Sequence, residues 1–443
     1  MNQKCKSVII IFGLAFVTSS LQAQEKKILT LSEAIQLSLQ NSHRLKGSEA
    51  KIEEATAALK EAVEKKLPDA SITGSYMRLS SANIDLQNKT NGGGTPTESP
   101  KVSQAMYGIA NISMPLYAGS RIRYGIESSR YLQKATELDA AQEREEVIAN
   151  TIEAYINLYK TKAAVNLVKE NLSQSQSRVN DLSSLEKNGL LARNDLLKAE
   201  LQSSNTELTL LNVENNWQLA NVSMNLILGL PEQTELVPDS ASLSLTPEVK
   251  TLNEYIQSAL TNRKDVEAMA FREKAAQTGE RAVKGEYYPA LQLTGGYIAA
   301  NIPKVLTITN AVNVGVGVSY NIGSLWKTKA KVQQAEARTK QLAAAEALLD
   351  DHVRIQVNQQ YLNWLSSQKK IQVYAKAVEQ ALENYKITKN KYDNSLATTT
   401  ELLDADVAGL QAKLNYAFAK ADAVVAYNKL LLTAGIIGQT DNK

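Results

Sequence analysis

The stretch Thr30-Leu31-Ser32-Glu33-Ala34-Ile35 decides how the chain is organised, because a close copy of it, TLNEYI, begins at Thr251. The same spacing of 221 residues also matches Pro68 with Pro289. Internal repetition at a fixed spacing is the signature of a duplicated architecture. The sequence therefore predicts two copies of one structural unit in tandem.

Further along each copy the spacing falls to 206 residues, which matches Leu190 with Leu396 and Gly229 with Gly435. The two spacings differ by 15 residues, because the first copy contains an insertion between Tyr76 and Met114. Within that region residues 88–100 read NKTNGGGTPTESP, whose composition predicts an exposed loop. We divide the chain into a signal segment, repeat 1, a linker and repeat 2, at residues 1–23, 24–230, 231–251 and 252–443.

The first residues are typical of a secretory signal. Lys4 and Lys6 precede a short apolar run at residues 8–17, and Ala23 supplies the small residue before a cleavage site. Cleavage there would also remove Cys5, the only cysteine, which excludes disulfide chemistry in the mature chain. The sequence therefore predicts an exported protein.

The sequence of each copy predicts the same order of helices and strands. A capping box opens it, Thr30 with Glu33 in the first copy and Thr251 with Glu254 in the second. A helix is expected to follow as far as the proline, to about Leu67 or Tyr288. Two strands come next, then a very long helix at residues 121–186, a turn and a return helix to about residue 228. The second copy repeats the order, with its turn near residues 394–395.

The strands carry the clearest period-two pattern. Small or polar residues alternate with an apolar ladder, which we expect to face lipid: Val312, Val314, Val316 and Val318. Each strand is expected to be about ten residues long, enough to span a membrane. Four strands are too few to close a membrane barrel alone. Two alternatives remain, a barrel shared between chains and a soluble four-stranded sheet that caps a helical rod.

The order of these elements, given twice, resembles the TolC family of bacterial outer-membrane efflux proteins. The residues that carry the resemblance are the opening Leu-x-x-Ala-Ile at residues 31–35, the strand entries Leu67-Pro68 and Tyr288-Pro289, and the turns Gly189-Leu190 and Ser395-Leu396. It implies a mainly α, α+β protomer, three copies of which share a twelve-stranded barrel in outer-membrane lipid. The long coiled-coil helices would continue as a periplasmic tunnel. Function would be passive export in efflux or type I secretion, with a periplasmic adaptor and an inner-membrane transporter as partners.

The turns between the long helices have two readings. As local chemistry, they reverse the chain and supply the next helix N-caps, at Asn194 or Thr400. Apolar residues at the end of a helical rod also suggest a partner surface. The resemblance makes that partner the adaptor, docked on Gly189, Leu190, Leu191, Ser395 and Leu396.

The resemblance also places a gate beside the second turn. Glu401 and Asp404 are spaced to share a helix face, and in the family matching acids ring the closed entrance. Their mutual repulsion is expected to raise the apparent pKa of the ring. Tyr392 and Asp195 match a family pair that holds the entrance shut, whereas Ala397 replaces an arginine of the best-known member. The alternative is that Glu401 and Asp404 are ordinary acids at a helix start.

Other functional classes find little support. Lys and Arg number 49 against 46 Asp and Glu, which gives no reason to expect nucleic-acid binding. His43 and His352 have no neighbouring Cys or His, so we predict no metal, cofactor or catalytic site. The rival functions are a soluble periplasmic coiled-coil adaptor or tether, and an exported enzyme.

Overall fold

The computed structural model describes residues 26–83, 101–239, 250–303 and 305–437. The expected signal segment and the insertion at 88–100 lie outside this part of the chain. The described residues form two units, each treated separately below. Unit 1 contains the described residues within 26–48, 141–264 and 350–437, and unit 2 contains those within 49–140 and 265–349.

Both copies have the predicted order of helices and strands. Repeat 1 contains β1 (Lys26–Leu29), α1 (Leu31–Asn41), α2 (His43–Glu64), β2 (Asp69–Asn83), β3 (Lys101–Ala118), α3 (Arg121–Lys187) and α4 (Arg193–Leu228). Strand β4 (Glu235–Pro238) follows it. Repeat 2 contains α5 (Leu252–Asn262), α6 (Lys264–Lys284), β5 (Ala290–Ile302), β6 (Leu306–Ser319), α7 (Ser324–Asp393) and α8 (Thr399–Thr433).

The expectation of one uninterrupted helix before each proline is wrong. The first helix of each copy breaks at an extended residue, Ser42 in repeat 1 and Arg263 in repeat 2. These two residues are 221 positions apart, so the break belongs to the repeat. Neither position is Gly or Pro, and the usual breaker residues therefore gave no signal for it.

Only the second of the two expected capping boxes is complete. The carboxylate of Glu254 accepts from the Thr251 N–H, and the Thr251 hydroxyl accepts from the Glu254 N–H. Thr30 likewise accepts from the Glu33 N–H, but the Glu33 carboxylate pairs with Lys27 at 2.9 Å instead. In the first copy, an ion pair with Lys27 therefore takes the place of the hydrogen bond from the Thr30 N–H to the Glu33 carboxylate.

The long helices agree with the prediction. α3 has 67 residues and α7 has 70, and both end at the expected turns. Neither helix contains a proline, so every residue in them has the N–H group that the helical hydrogen bonds need. In unit 1 a cluster of buried apolar residues joins the helix ends, and it comprises Leu182, Leu196, Ala199 and Leu403.

A short parallel pair of strands in unit 1 was not predicted. β1 pairs with β4, which lies in the segment that the sequence suggested as a linker. The fully buried Tyr155 fixes the pair, because its hydroxyl donates to the Leu29 carbonyl and accepts from the Asp239 N–H, both at 2.9 Å. Four-residue strands carry too little periodicity to be seen in a sequence.

Unit 2 contains an antiparallel sheet with the strand order β2-β3-β5-β6. Its strands have 15, 18, 13 and 14 residues, so the expected length of about ten was too short. The strands are longer than expected because the hydrogen bonds between them extend beyond the residues in which apolar and polar side chains alternate regularly. Within the described residues, no helix combines the length and the apolar character needed to cross a membrane.

Candidate functional site: the sheet face and the helix turns

The valine ladder belongs to an apolar face that crosses all four strands. Residues directly opposite each other in neighbouring strands share a face. Val316 lies opposite Leu293, which lies opposite Met114 on β3. Ile72 continues the same face on β2, opposite Ala110. The four valines are between 63% and 78% exposed, so this face is uncovered in a single chain.

The other face of the sheet is small and polar. Asn313, Gly315 and Gly317 alternate with the valines on β6, and Thr294 lies opposite Gly315. The two outer strands, β2 and β6, each pair on one side only among the described strands. The sheet therefore combines an exposed apolar face with two unpaired edges, which proteins in water normally avoid.

The two turns of unit 1 have the same backbone conformation. Gly189 and Ser395 are both left-handed, with φ of 72° and 61°. After each, a leucine N–H closes the turn: Leu190 donates to the Leu185 carbonyl at 2.9 Å, and Leu396 donates to the Lys391 carbonyl at 2.7 Å. This is the αL helix ending that glycine normally supplies. Ser395 holds it without glycine, at a conformational cost of about 1–2 kcal/mol.

The turns expose one leucine each. Leu190 is 75% exposed and Leu396 is 77% exposed. Leu191 is half-buried and packs on the cluster around Leu196. Of the three leucines proposed for docking, two are therefore available to a partner in a single chain, and Leu191 supports the turn from within.

The helix N-caps lie two residues before the expected positions. Thr398 caps α8 with a complete capping box, and Ala192 precedes α4 with no side-chain cap. Asn194 and Thr400 are thus already inside their helices. In the second turn the box partner is Glu401, whose carboxylate accepts from the Thr398 N–H at 2.6 Å and from its hydroxyl at 2.9 Å.

The capping box sets the acidity of Glu401 within one chain. Hydrogen bonds from the backbone and hydroxyl of Thr398 lower the pKa of Glu401 below its ordinary value. This acts in the direction opposite to the repulsion expected between acids in a ring. Asp404 is exposed one turn further on, with no hydrogen bond or ion pair to the described residues.

The structure does not join Tyr392 to Asp195 by a hydrogen bond within the described chain. Tyr392 packs on the buried cluster that contains Leu182, Leu196, Ala199 and Leu403. Asp195 instead lies 3.5 Å from the ammonium of Lys198, which also donates to the Thr400 hydroxyl at 3.2 Å. Lys198 therefore links the start of α4 to the start of α8. Its equivalent in the second copy, 206 residues further on, is Asp404, so the repeat did not predict this link.

A buried ion pair lies further from the turns and was missed by sequence reasoning. Arg178 of α3 donates to Asp406 of α8 at 3.1 Å, and their side chains are only 12% and 8% exposed. Arg178 also donates to the Tyr385 hydroxyl, while Asn171 donates to Asp406. The one indication of this ion pair in the sequence was Asp406, an aspartate that lies among the apolar residues of α8.

The pKa of Arg178 reflects this arrangement. Burial alone would lower the pKa of the guanidinium, but its interactions with Asp406 and Tyr385 together raise it. Arg178 therefore keeps its positive charge and links α3, α7 and α8 by its hydrogen bonds to Asp406 and Tyr385.

The two histidines stand apart from these features. His43 and His352 are both exposed. Among the residues that the structure describes, no three His, Cys, Asp or Glu side chains come together as a possible metal site.

Comparison with solved structures shows a shared fold. The outer membrane protein VceC of Vibrio cholerae is 18% identical, with a TM-score of 0.74 over 91% of this chain and 96% of that one. The outer membrane channel CmeC of Campylobacter jejuni is 17% identical, with a TM-score of 0.75 over 92% and 86%. The outer membrane channel MtrE of Neisseria gonorrhoeae, in its open state, is 14% identical, with a TM-score of 0.73 over 92% and 89%.

No match was found among curated proteins. The model of the family described as outer membrane efflux protein matches residues 34–230 and 255–435. These two segments correspond to the two repeats, and together they cover most of the sequence. The chain therefore belongs to the outer membrane efflux protein family.

Proposed function

We propose that three copies of this chain form the exit duct of an export system, sharing one twelve-stranded barrel in the outer membrane and one helical tunnel in the periplasm. The observation that carries the proposal is the four-stranded sheet, with its exposed apolar face and two unpaired edges. Unpaired backbone groups are very costly in lipid, so a membrane sheet must close on itself. Four strands fall short of the eight found in the smallest single-chain barrels, and pairing β6 of one copy with β2 of the next closes the ring.

Transport through the duct is passive, with energy supplied by an inner-membrane transporter, and the chain has no catalytic role. The turns dock a periplasmic adaptor through Leu190 and Leu396, with Gly189 and Ser395 fixing the backbone. Support comes from the exposure of the two leucines, since an apolar side chain that is about three-quarters exposed makes little packing contact within its own chain. The solved structures of CmeC and MtrE, which share this fold, are both described as outer membrane channels.

The entrance carries a gate formed by the acids of α8. Three copies bring together six carboxylates, from Glu401 and Asp404, and both side chains are exposed in the single chain. Tyr392 and Asp195 contribute from the adjoining helix ends, Tyr392 by packing and Asp195 through Lys198. Because the ring is acidic, it favours cations over anions.

Reconstitution in a planar bilayer tests the proposed function. The mature protein is first fractionated with the membranes, extracted in detergent and sized. We expect it in the outer-membrane fraction, as a trimer that forms cation-preferring pores. A soluble, monomeric protein without pore activity would overturn the proposal and favour the periplasmic adaptor.

A further inference from the structure

Exposed aromatic side chains mark the end of the apolar sheet face that lies next to the helices of unit 2. Tyr117 is the last residue but one of β3, Tyr288 lies two residues before β5, Tyr320 follows β6, and Trp326 is the third residue of α7. All four are between 42% and 64% exposed. Because Tyr and Trp collect at the boundary between membrane and water, these residues place the lipid headgroups at the junction of strands and helices.

A cavity of about 370 Å³ lies just beyond this junction, between the end of α2 and the start of α3. One of its lining residues, Lys66, follows α2, and the others belong to the first turns of α3. Residues three and four apart are neighbours on a helix surface, so the charged side chains of α3 lie along one helix face. The lining comprises Lys66, Arg123, Ile126, Glu127, Arg130 and Tyr131.

The cations of this cavity have no partner within the described chain. Lys66, Arg123 and Arg130 are exposed, and their side chains make no ion pair or hydrogen bond with any residue that the structure describes. Glu127, the carboxylate of the lining, instead accepts a hydrogen bond from the Tyr131 hydroxyl at 3.3 Å. Three cations beside one carboxylate give the cavity a positive potential, which favours an anion.

A second cavity of unit 2, of about 630 Å³, provides a contrast. Two of its three cations are already neutralised within the chain, because Arg272 pairs with Asp139 and Lys331 pairs with Glu286. The cations of the first cavity have no such carboxylates. Of these two cavities, the first is therefore the one that has to obtain its anion from outside the chain.

The position of the cations in α3 brings them to the level of the aromatic residues. Arg123 and Arg130 are the third and tenth residues of the helix. Arg130 thus lies about 14 Å along the helix axis from its start. Side chains on a helix are directed toward its N-terminus, and long cationic side chains extend toward the polar boundary of a membrane. Both guanidinium groups can therefore reach the headgroup layer.

We propose that this cavity binds the phosphate of an anionic phospholipid in the periplasmic leaflet of the outer membrane. The inference rests on the proposed function, which places the sheet in the bilayer and the helices in the periplasm. Arg123 and Arg130 donate paired hydrogen bonds to the phosphate oxygens, and the ammonium of Lys66 adds a third positive charge. Basic pockets between helices at a membrane surface are suited to such headgroups.

The charge of the cavity also selects among phospholipids. Phosphatidylglycerol presents a phosphate with no accompanying cation. Phosphatidylcholine carries a quaternary ammonium group beside its phosphate, and the three cations of the cavity repel that group. We therefore expect a preference for phosphatidylglycerol.

Lipid binding to the purified trimer tests the inference. The detergent-extracted trimer is titrated with phosphatidylglycerol or phosphatidylcholine, and the bound lipids are counted by native mass spectrometry. We expect the trimer to retain phosphatidylglycerol in preference, at one molecule per chain. Combining Lys66→Gln, Arg123→Gln and Arg130→Gln should weaken this binding about a hundredfold, because each cation close to an anionic surface contributes about fivefold to the affinity.

Two further variants separate the role of the cavity from general effects of charge and folding. Lys369, Lys376 and Lys389 are exposed on α7, more than about 60 Å along the helix from its start, and changing all three to Gln should leave lipid binding unchanged. Arg123→Lys with Arg130→Lys keeps the positive charge and should keep the preference for phosphatidylglycerol.

Competition with inorganic phosphate distinguishes the lipid from a free anion. An excess of inorganic phosphate should leave phosphatidylglycerol bound, because the acyl chains also hold the lipid against the apolar face of the sheet. Complete displacement would identify a site for free phosphate and overturn the proposal. A trimer that retains both lipids equally, or a triple Gln variant that binds like the unchanged protein, would also overturn it while leaving the proposed function intact. A protein that forms no trimer would overturn the proposed function itself.

Discussion

Glu401 shows how one residue can serve both the fold and a proposed gate. Its carboxylate completes the capping box of α8, which lowers its pKa. The side chain nevertheless remains exposed, so its charge can act on a passing ion. Asp404 has no such structural partner among the described residues, and its exposed charge is available to the proposed ring.

Neutralising these acids tests the gate. Glu401→Gln with Asp404→Asn should reduce the cation preference of the pore in a planar bilayer, because six carboxylates of the trimer are lost. Glu207→Gln, an exposed acid on α4 further from the turn, is the matched control and should leave the preference unchanged. Full cation preference in the double variant would show that the two acids are only helix-start residues.

The buried pair Arg178–Asp406 gives a second prediction at the level of residues. Asp406→Leu leaves a buried guanidinium without its carboxylate, and we expect a loss of about 3–5 kcal/mol in the free energy of unfolding. Adding Arg178→Met should recover most of this loss, because no buried charge then remains.

Denaturant unfolding followed by circular dichroism measures both variants. The exposed pair Glu153–Lys429 provides the control, since Glu153→Gln should cost less than about 1 kcal/mol. An Asp406→Leu variant as stable as the control would mean that the pair contributes nothing to the packing of these helices.

At the scale of structural elements, the turns allow the proposed contact with the adaptor to be tested separately from the assembly of the trimer. Changing Leu190 and Leu396 together to Asp should abolish transport in cells that contain the adaptor and transporter, because apolar burial at the docking surface is lost. The trimer and its conductance should remain, since both side chains are exposed in the chain.

Leu191→Asp is the informative comparison for the turns. This leucine packs on the buried cluster, so its replacement should lower stability as well as transport. Normal transport by the Leu190 and Leu396 double variant would show that the turns serve only to reverse the chain.

The sequence predicted elements well where the pattern was long or duplicated. The long helices, the four strands and both turns follow from proline placement and from the repeat. Features set by contacts between distant residues were missed. The helix breaks at Ser42 and Arg263 contain no breaker residue, and the β1–β4 pair depends on Tyr155 of α3.

The residues of the candidate site also divide into those that local sequence predicted and those that depend on contacts between distant residues. Exposure of Leu190 and Leu396 follows from their place in a turn, so local sequence was sufficient. The link through Lys198 and the pair Arg178–Asp406 depend on which helices meet, and side-chain partners more than 200 residues apart leave no local pattern.

At the scale of the whole molecule, the valine ladder tests membrane insertion. Val316→Arg should destabilise the inserted protein by about 2–4 kcal/mol if the residue lies near the bilayer midplane. Asn313→Arg, on the opposite face of the same strand, should have little effect. Equal yields of the folded membrane form for both variants would contradict the assignment of the valine face to lipid.

The assembly of three copies is the central claim, and the mass of the detergent-extracted protein tests it most directly. The described residues supply four strands to the sheet of each chain, and both edges of that sheet are unpaired among them, so closure requires other copies. Native mass spectrometry of the protein released from outer membranes should give a single species of three chains. A single chain that remains in solution without detergent would contradict the account.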